Sequence, residues 1–307
     1  MTQIPSILEL LALSGSQFRL YDIGRKIDKI SSDDFDKIEK NQIPYPYPAQ
    51  GHACIAIAFW QEKTQQSYLW FVKLPLDERG LLNQGARTHF VAIIVEALGS
   101  DLSVDPSQQQ EELLKNNPYH FTPAQYKLAS LNSIINLELK HPASEHYQNC
   151  ADYFSGKLGW DNWQNIGVQG LADYVSRLST DNNGDNLINA LPHISEQVLT
   201  PLCSALENEI LSDKIIDALI EKTKEVKNNQ VLRAQLLRAL ASNCTQAAVE
   251  IFIEQLITQQ ELSTDDFITL AARCWLFFSN QKRLMLFLEL FPEILFSSII
   301  ILILLVN

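Results

Sequence analysis

Two short segments combine residue types that can bind a metal ion. The run Asp181-Asn182-Asn183-Gly184-Asp185-Asn186 offers alternating oxygen ligands of the kind that Ca²⁺ prefers. Its glycine comes too early for a calcium loop, and Pro192 stands where the bidentate glutamate should be. His146 and Cys150 are four residues apart on a predicted helix, but a transition metal needs three or four ligands. The sequence therefore predicts a turn at 181–186, a packed Cys150 and no metal site.

The sequence lacks the short motifs that indicate several common catalytic sites. It contains no G-x-S-x-G, no G-x-x-x-x-G-K-[ST], no G-x-G-x-x-G and no H-E-x-x-H. Nucleophile-elbow hydrolases, P-loop proteins, Rossmann dehydrogenases and zincin proteases therefore lose their usual sequence support. The sequence assigns no catalytic residue and no cofactor, and it favours a non-enzyme while leaving an enzyme open.

Polar and aromatic side chains are densest around two predicted strands between residues 53 and 74. Before these strands, the segment Pro44-Tyr45-Pro46-Tyr47-Pro48 must be a stiff, extended connector, because each proline removes a donor and restricts its predecessor. Aromatic side chains supply rigid contact area, and cations bind acidic groups. The residues expected to bind a partner or ligand are Tyr45, Tyr47, Gln50, Trp70, Lys73, Asp77 and Arg87.

Lys73, Tyr45 and Tyr47 also have a purely structural interpretation. Lys73 lies among apolar strand residues and can pair with Asp77 or Glu78 at the end of the strand. Tyr45 and Tyr47 can equally pack between domains. The sequence does not decide between a recognition surface and these internal contacts.

The charged residues are unevenly distributed. The chain carries 24 Lys and Arg against 36 Asp and Glu, a formal net charge of −12. Residues 101–307 hold 14 of the basic and 25 of the acidic side chains, so the acidity is concentrated there. Proteins bind nucleic acids through Lys and Arg that replace the counterions of the phosphate backbone. An acidic protein of this kind is not expected to bind nucleic acid.

The cysteines and the amino terminus indicate the compartment. Five cysteines lie far apart, with an odd total and no C-x-x-C, a usage typical of reduced, buried thiols in the cytoplasm. The first residues, MTQIPSILELLALSGSQ, lack a basic region and place Glu9 inside the short apolar stretch, so they make a poor signal peptide. We expect a cytoplasmic protein.

The first hundred residues predict a small α+β domain, an antiparallel sheet with helices. Alternating large and small side chains at 53–60 indicate a central strand, and the polar loop 61–66 predicts an antiparallel hairpin with 67–74. Asp77 or Glu78 is expected to cap the next helix. The other predicted elements are helices at 4–13, 31–40 and 82–98 and a strand at 17–24.

Residues 101–122 are expected to form a connecting segment, and residues 123–307 an all-α domain. Helices are predicted to begin near Glu196, Asp213, Gln230, Gln246, Asp265 and Gln281, each just after Ser, Thr or Asn. This near-constant step predicts a solenoid-like, HEAT-like helical repeat in which each helix pair buries its apolar side against its neighbours. No named repeat consensus occurs, so an irregular helical bundle stays open as the alternative.

Residues 294–306, ILFSSIIILILLV, are uncharged and nearly all apolar. Thirteen residues are too few for a bilayer core, which requires about 20. The segment has three interpretations: a helix buried on the preceding pair, a C-terminal tail anchor, or an altered end of the chain, because such a run is an aggregation hazard. A membrane is therefore not the expected partner.

The stretch PYPYPAQGHACIAIAFW, followed by YLWFVKLPLDERGLLNQGARTHF, resembles a gammaproteobacterial family catalogued as domain of unknown function 3549. The likeness is strongest over residues 17–90 and continues more weakly through LLRALAS and AARCW. The residues after about Phe287 look unlike this family. The resemblance implies a cytosolic bacterial protein and transfers no catalytic residue.

These observations lead to two hypotheses about function. The first is a non-catalytic interaction or adaptor protein, whose helical repeat offers an extended acidic surface to another protein. The alternative is an enzyme or small-ligand-binding protein with a pocket in the N-terminal domain near Lys73, Asp77 and Arg87. The two are distinguished by whether those three side chains converge in one concave site.

Overall fold

The computed structural model describes residues 6–13, 17–60, 67–98 and 116–290. The chain divides into two compact units, residues 1–127 and 128–307. The first contains all the strands of the described part, and the second is built from helices. The predicted sequence of an α+β region followed by an all-α region is confirmed.

The sheet of the first unit has four antiparallel strands in the spatial order β2-β1-β3-β4. The hairpin predicted at 53–74 is confirmed, and β3 is an inner strand with Ile57 between Leu20 and Trp70. The short strand β2 was not predicted from the sequence. The strands are β1 (Gln17–Asp22), β2 (Asp28–Ile30), β3 (His52–Trp60) and β4 (Ser67–Pro75).

Among its described residues, the first unit adds three helices to this sheet: α1 (Ile7–Leu13), α2 (Ser32–Glu39) and α3 (Gln84–Leu98). Ser31 caps α2 as predicted, because its hydroxyl accepts a hydrogen bond from Asp34 N at 3.0 Å. The cap of α3 differs from the expectation: Asn83 Oδ1 accepts from Ala86 N at 2.9 Å, whereas Asp77 holds the preceding turn. An Asx cap works over two or three residues, and Asp77 lies too far from the helix to supply it.

One face of the sheet forms the core of the first unit. Side chains on alternate strand positions point to the same face, so Leu20, Ile55, Ile57 and Val72 bury together with Phe35 of α2. The opposite face of β3 carries the small residues that the sequence alternates with them. Cys54, Ala56 and Ala58 on that face are also buried, so both faces of β3 are covered.

The second unit contains ten helices among its described residues, the first of which begins at the end of the first unit. They are α4 (Gln125–Glu138), α5 (Tyr147–Phe154), α6 (Val168–Val175), α7 (Asn183–Ala190), α8 (Glu196–Leu206), α9 (Asp213–Glu225), α10 (Gln230–Ala239), α11 (Ala247–Thr258), α12 (Thr264–Arg273) and α13 (Gln281–Glu289). Short 3-10 helices lie at Trp160–Asn165, Ala241–Asn243 and Trp275–Ser279.

From α5 onward the helices stack in two rows. Helices α6, α8, α10 and α12 pack successively in one row, and α5, α7, α9, α11 and α13 pack in the other. Each helix therefore contacts the helix two places away in sequence, which is the arrangement of an α-solenoid. The shared core runs along the whole stack, from Cys150 to Leu290.

The helix starts follow the capping residues of the sequence. Glu196, Asp213, Gln230 and Gln281 begin their helices as predicted, and the two other starts differ by one residue. Asn229 caps α10, Asn280 caps α13, and Ser263 forms a capping box with Asp266 at α12. Side-chain hydrogen bonds thus cap three of these six starts, whereas the N-cap residues Ser195, Ser212 and Gln246 make none.

Within the described residues, no helix is long and apolar enough to cross a membrane. Residues 294–306 lie outside the described residues, so the three interpretations of this segment, including the tail anchor, stay predictions. Much of the connecting segment 101–122 is also outside them, since the description resumes at residue 116.

Candidate functional site

The structure does not bring Lys73, Asp77 and Arg87 together. Arg87 is largely buried, and its Nε lies 3.4 Å from Oε1 of the buried Glu39. Asp77 is exposed and pairs with Arg79, whose Nη2 lies 2.9 Å from Asp77 Oδ2. The backbone bond and the ion pair at Asp77 lower its pKa, mainly through Leu81 N.

Lys73 and Trp70 lie on opposite faces of β4, because they are three positions apart in a strand. Trp70 packs on the apolar core, with its ring 4.7 Å from that of Phe59. Lys73 is half-buried opposite Cys54, and among the described residues it forms no ion pair with Asp77 or Glu78. The aromatic and basic residues of β4 therefore do not form one recognition surface.

The proline-stiffened connector is partly internal to the first unit. Tyr45 is 2% exposed, and its hydroxyl donates to Asp22 Oδ1 at 2.5 Å. Tyr47 is half-buried against the same apolar core. Gln50 is exposed in a left-handed conformation with φ of 52°, where its carbonyl oxygen lies 2.8 Å from Nδ1 of His52. Two of the residues predicted to bind a partner, Tyr45 and Tyr47, instead lie in a polar cluster around Asp22.

Asp22 is a completely buried carboxyl at the end of β1. Besides Tyr45, it accepts a hydrogen bond from Gly24 N at 3.2 Å. The ammonium of Lys127 lies close by, donating to the carbonyl oxygens of Ile23 at 2.7 Å and Gly24 at 2.5 Å. Burial removes the carboxyl from water and raises its pKa to about 7, although these donors and Lys127 favour the ionised form.

The Asp22 cluster was missed by the sequence reasoning, apart from the two tyrosines. A weak signal was present: Asp22 follows Leu20 and Tyr21 at the buried end of β1, where a carboxyl needs partners. Lys127 carries no comparable signal, because it lies 105 residues further along the chain and looks like an ordinary helix residue.

In the second unit, buried carboxylates join neighbouring elements. Asp173 accepts from Ser133 Oγ at 2.7 Å and from Ser144 N at 2.9 Å. Glu207 of the α8 C-cap pairs with Arg238 of α10 through Nε at 2.6 Å, and Asp266 of α12 pairs with Arg233 of α10. These carboxylates are bonded to donors on neighbouring helices and turns, so they are not available to a substrate.

The described residues contain little that could hold a small ligand. Among the described residues, no group of three or more His, Cys, Asp or Glu side chains is placed to hold a metal ion. A wide, open depression of about 470 Å³ lies along α2. It is lined by Leu8, Ser32, Asp33, Asp36, Lys37 and Gln42. Ligand sites usually enclose most of their ligand, whereas this groove is polar but open to solvent.

The last helices of the described stack expose many large apolar side chains. We call these residues, which lie on α12, on the 3-10 helix Trp275–Ser279 and on α13, the end surface. Each of its side chains is between 37% and 58% exposed. The end surface consists of Ile268, Leu276, Leu284, Met285, Leu286 and Leu288. Scattered apolar residues are normal on protein surfaces, but four on one nine-residue helix are not.

The comparisons with known proteins identify one family. A family model described as "Protein of unknown function (DUF3549)" matches residues 2–300, which confirms the resemblance. The matched range continues past Phe287, so the expectation that the likeness ends near this residue is wrong. No curated protein and no solved structure matches the chain.

Proposed function

We propose that this chain, which belongs to the DUF3549 family, is a non-catalytic adaptor that binds another protein through the end surface of its helical stack. The observation that carries the proposal is the exposure of Leu284, Met285, Leu286 and Leu288 on α13. Full burial of one such side chain contributes roughly 1.5–3 kcal/mol, so a partner covering this helix gains substantial free energy.

The surrounding charge suggests the chemistry of the partner. Exposed charges of both signs flank the end surface, namely Asp265 on α12 and Lys282 and Glu289 on α13, with the carboxylates in the majority. The chain as a whole carries a net charge of −12. Electrostatic complementarity favours a partner segment of the opposite sign. We therefore propose an amphipathic partner helix that has apolar residues on one side and Lys or Arg beside them.

The polar groups of the chain support a binding role over a catalytic one. Asp77 pairs with Arg79 and Arg87 with Glu39, so these side chains lend no support to the alternative of a pocket near Lys73. The buried carboxylates of the stack are engaged with other parts of the stack. We further propose a bacterial cytoplasmic location, since all five cysteines are buried and none forms a disulfide among the described residues.

The proposal is tested by changing the end surface without changing the fold. The double variant Met285→Ser/Leu288→Ser removes apolar area from α13 and adds no charge. The matched control is Val231→Ser on α10, because Val231 is 66% exposed and lies outside the end surface. We expect all three proteins to have the same circular dichroism spectrum and melting temperature within a few degrees.

Binding is measured first with a defined probe, a helical peptide with Leu on one side and Lys on the other. We expect the double variant to bind it at least about tenfold more weakly than the wild type, corresponding to about 1.4 kcal/mol. The Val231→Ser control should bind like the wild type, and a peptide with Glu in place of Lys should bind weakly.

The natural partner is sought by quantitative co-purification from native lysate at physiological salt. A partner retained by the wild type and by Val231→Ser, but lost with the double variant, supports the proposal. Equal retention by all three proteins would place the binding surface elsewhere. A monomer that retains no protein contradicts an adaptor role.

A further inference from the structure

β4 is an edge strand of the described sheet, because it pairs with β3 on one side and ends the spatial order β2-β1-β3-β4. In an antiparallel pair, every second residue of a strand points its backbone N–H and C=O away from the partner strand. Lys73 shows which residues of β4 these are, since its N–H donates to Tyr119 O at 2.7 Å, outside the hairpin. Phe71 and Leu69, two and four positions earlier, therefore also direct their backbone groups outward.

The chain itself occupies one part of this outer edge. Val72 forms an antiparallel bridge with His120. Continued in the same register, this pairing would put Pro123 opposite Leu69. Proline has no N–H to donate to a neighbouring strand, and helix α4 begins two residues later. The paired segment thus stops short of Leu69, whose backbone receives no hydrogen bond from outside the hairpin among the described residues.

The rest of the edge is apolar. From Ser67 to Val72 the strand has the sequence Ser-Tyr-Leu-Trp-Phe-Val, without a charge, a proline or a glycine, and its register with β3 is continuous. Soluble proteins usually protect an edge strand with lysine, proline or a bulge. This stretch of β4 has none of these protections. Four of its side chains are only partly buried, namely Tyr68, Leu69, Trp70 and Phe71.

We propose that the edge of β4 from Ser67 to Phe71 is a second binding surface, which takes an extended, mainly apolar segment of a partner protein as an additional strand. The segment runs antiparallel to β4, as all neighbouring strands of this sheet do. Its residue opposite Leu69 exchanges two backbone hydrogen bonds with that residue, as in other complexes formed by strand addition. The inference goes beyond the end surface, because it concerns the first unit.

A separate segment fits this edge better than a second copy of the chain. Two copies could pair only over the stretch that each β4 leaves open, because the bridge between Val72 and His120 occupies the rest on both. A separate segment is limited in this way on one side only. Its side chains alternate between the face of Trp70 and the face of Leu69. Because β-branched side chains pair well with aromatic ones across strands, we expect a segment rich in Val or Ile.

The surface is tested with a defined probe, a short acetylated peptide in which Val and Thr alternate between terminal lysines. The readout is amide hydrogen exchange of the full-length protein, followed residue by residue by NMR. We expect the N–H of Leu69 to exchange at least about tenfold more slowly when the peptide is present at saturation. The N–H of Lys73 is already bonded to Tyr119 O, so it should be protected in both states and serves as the internal reference.

Matched changes in the probe show whether backbone pairing holds it. In an added strand, one alternate set of backbone nitrogens faces β4 and the other set faces solvent. Two peptides are therefore compared, each N-methylated on one of these sets, with the side chains unchanged. One should bind wild-type protein at least about tenfold more weakly than the unmodified probe, and the other should bind like it.

A change in the protein makes the complementary test. Leu69→Pro removes the outward N–H without removing a hydrogen bond to β3, so it should also weaken binding at least about tenfold. The matched control Leu69→Val keeps the N–H and should bind like the wild type. The comparison of the N-methylated peptides uses wild-type protein, so it stays decisive even where Leu69→Pro folds poorly.

Three results would overturn the proposal. An N–H of Leu69 that is already protected in the free protein would mean that another part of the chain covers the edge. Equal binding of the two N-methylated peptides would show that the contact is not strand pairing. A wild-type dimer that Leu69→Pro separates, measured by sedimentation velocity, would make a second copy the occupant. The double variant Met285→Ser/Leu288→Ser should bind this probe like the wild type, so the two surfaces are tested separately.

Discussion

The two units bury carboxylates in different ways. In the stack, Asp266 and Glu207 are buried against guanidinium groups of α10. In the sheet unit, Asp22 is buried against a phenol and a backbone amide, with Lys127 attached to the neighbouring carbonyl oxygens.

The difference has a physical consequence for each unit. A guanidinium stays charged throughout the pH range in which proteins are folded, so a buried Arg–carboxylate pair persists over that range. Loss of either partner leaves the other charge buried and unpaired. A carboxyl surrounded by neutral donors relieves its desolvation by taking up a proton. The stack is therefore expected to be sensitive to loss of one ion partner, and the end of β1 to be sensitive to pH.

The largest effect is expected for Asp266→Ala in the stack. This change leaves Arg233 buried without its partner and removes the capping box with Ser263. Breaking a buried pair from one side costs about 3–5 kcal/mol. Denaturant unfolding monitored by circular dichroism measures the loss.

Two further variants separate the ion pair from the cap. Asp265→Ala removes an exposed acid of the same helix turn and should cost less than about 1 kcal/mol. In the double variant Arg233→Met/Asp266→Ala, no unpaired charge is left, so part of the lost stability should return. If the double variant lost as much stability as the two single variants together, Arg233 and Asp266 would not stabilise each other.

Glu209 provides a smaller, pH-dependent test within the stack. It lies between α8 and α9, and burial raises its pKa to about 7 from an ordinary value of 4.5. Because its folded-state pKa is raised, the stability it contributes at low pH is lost as pH rises through about 7. The free energy of unfolding of Glu209→Gln, taken relative to that of the wild type, should therefore rise by about 1 kcal/mol between pH 6 and pH 8.

Glu207→Gln is the comparison for this test, since Glu207 has arginine partners where Glu209 has no ion partner among the described residues. Glu207→Gln should be destabilised at both pH values. If Glu209→Gln changed the free energy of unfolding equally at both pH values, burial would not be the main influence on the pKa of Glu209.

The smallest effect is expected at the exposed end of the stack. Arg283 of α13 pairs with Glu250 at 2.5 Å and with Glu254 at 2.6 Å, and all three groups are partly in water. Arg283→Met should cost about 0.2–1 kcal/mol, and less at high salt, because exposed pairs are screened. Thermal melts at low and high ionic strength measure it, and a loss as large as that of Asp266→Ala would erase the distinction between exposed and buried pairs.

Local features of the sequence predicted most of the fold. The alternation of Ile55 and Ile57 with small residues placed β3 inside a sheet, and Ser31, Asn229 and Asn280 marked helix starts that the structure confirms. These signals act over a few residues, through side-chain alternation and capping hydrogen bonds, so they can be read from the printed chain.

The candidate site was less predictable. Tyr45 was singled out as an aromatic on a stiff connector, but its partner is Asp22 in another element. Arg87 was expected near Lys73, whereas its partner is Glu39. Charge and residue type show that a group needs a partner, but they do not show which of many candidates is close.

The sequence by itself determined the family, the hairpin of the sheet and the step of the helical stack, because these depend on motifs and on neighbours within a few residues. Tertiary structure alone decided that Lys127 meets the end of β1 and that Asp266 meets Arg233. These contacts join residues far apart in the chain, and chain folding fixes their distance and burial, on which their electrostatics depend.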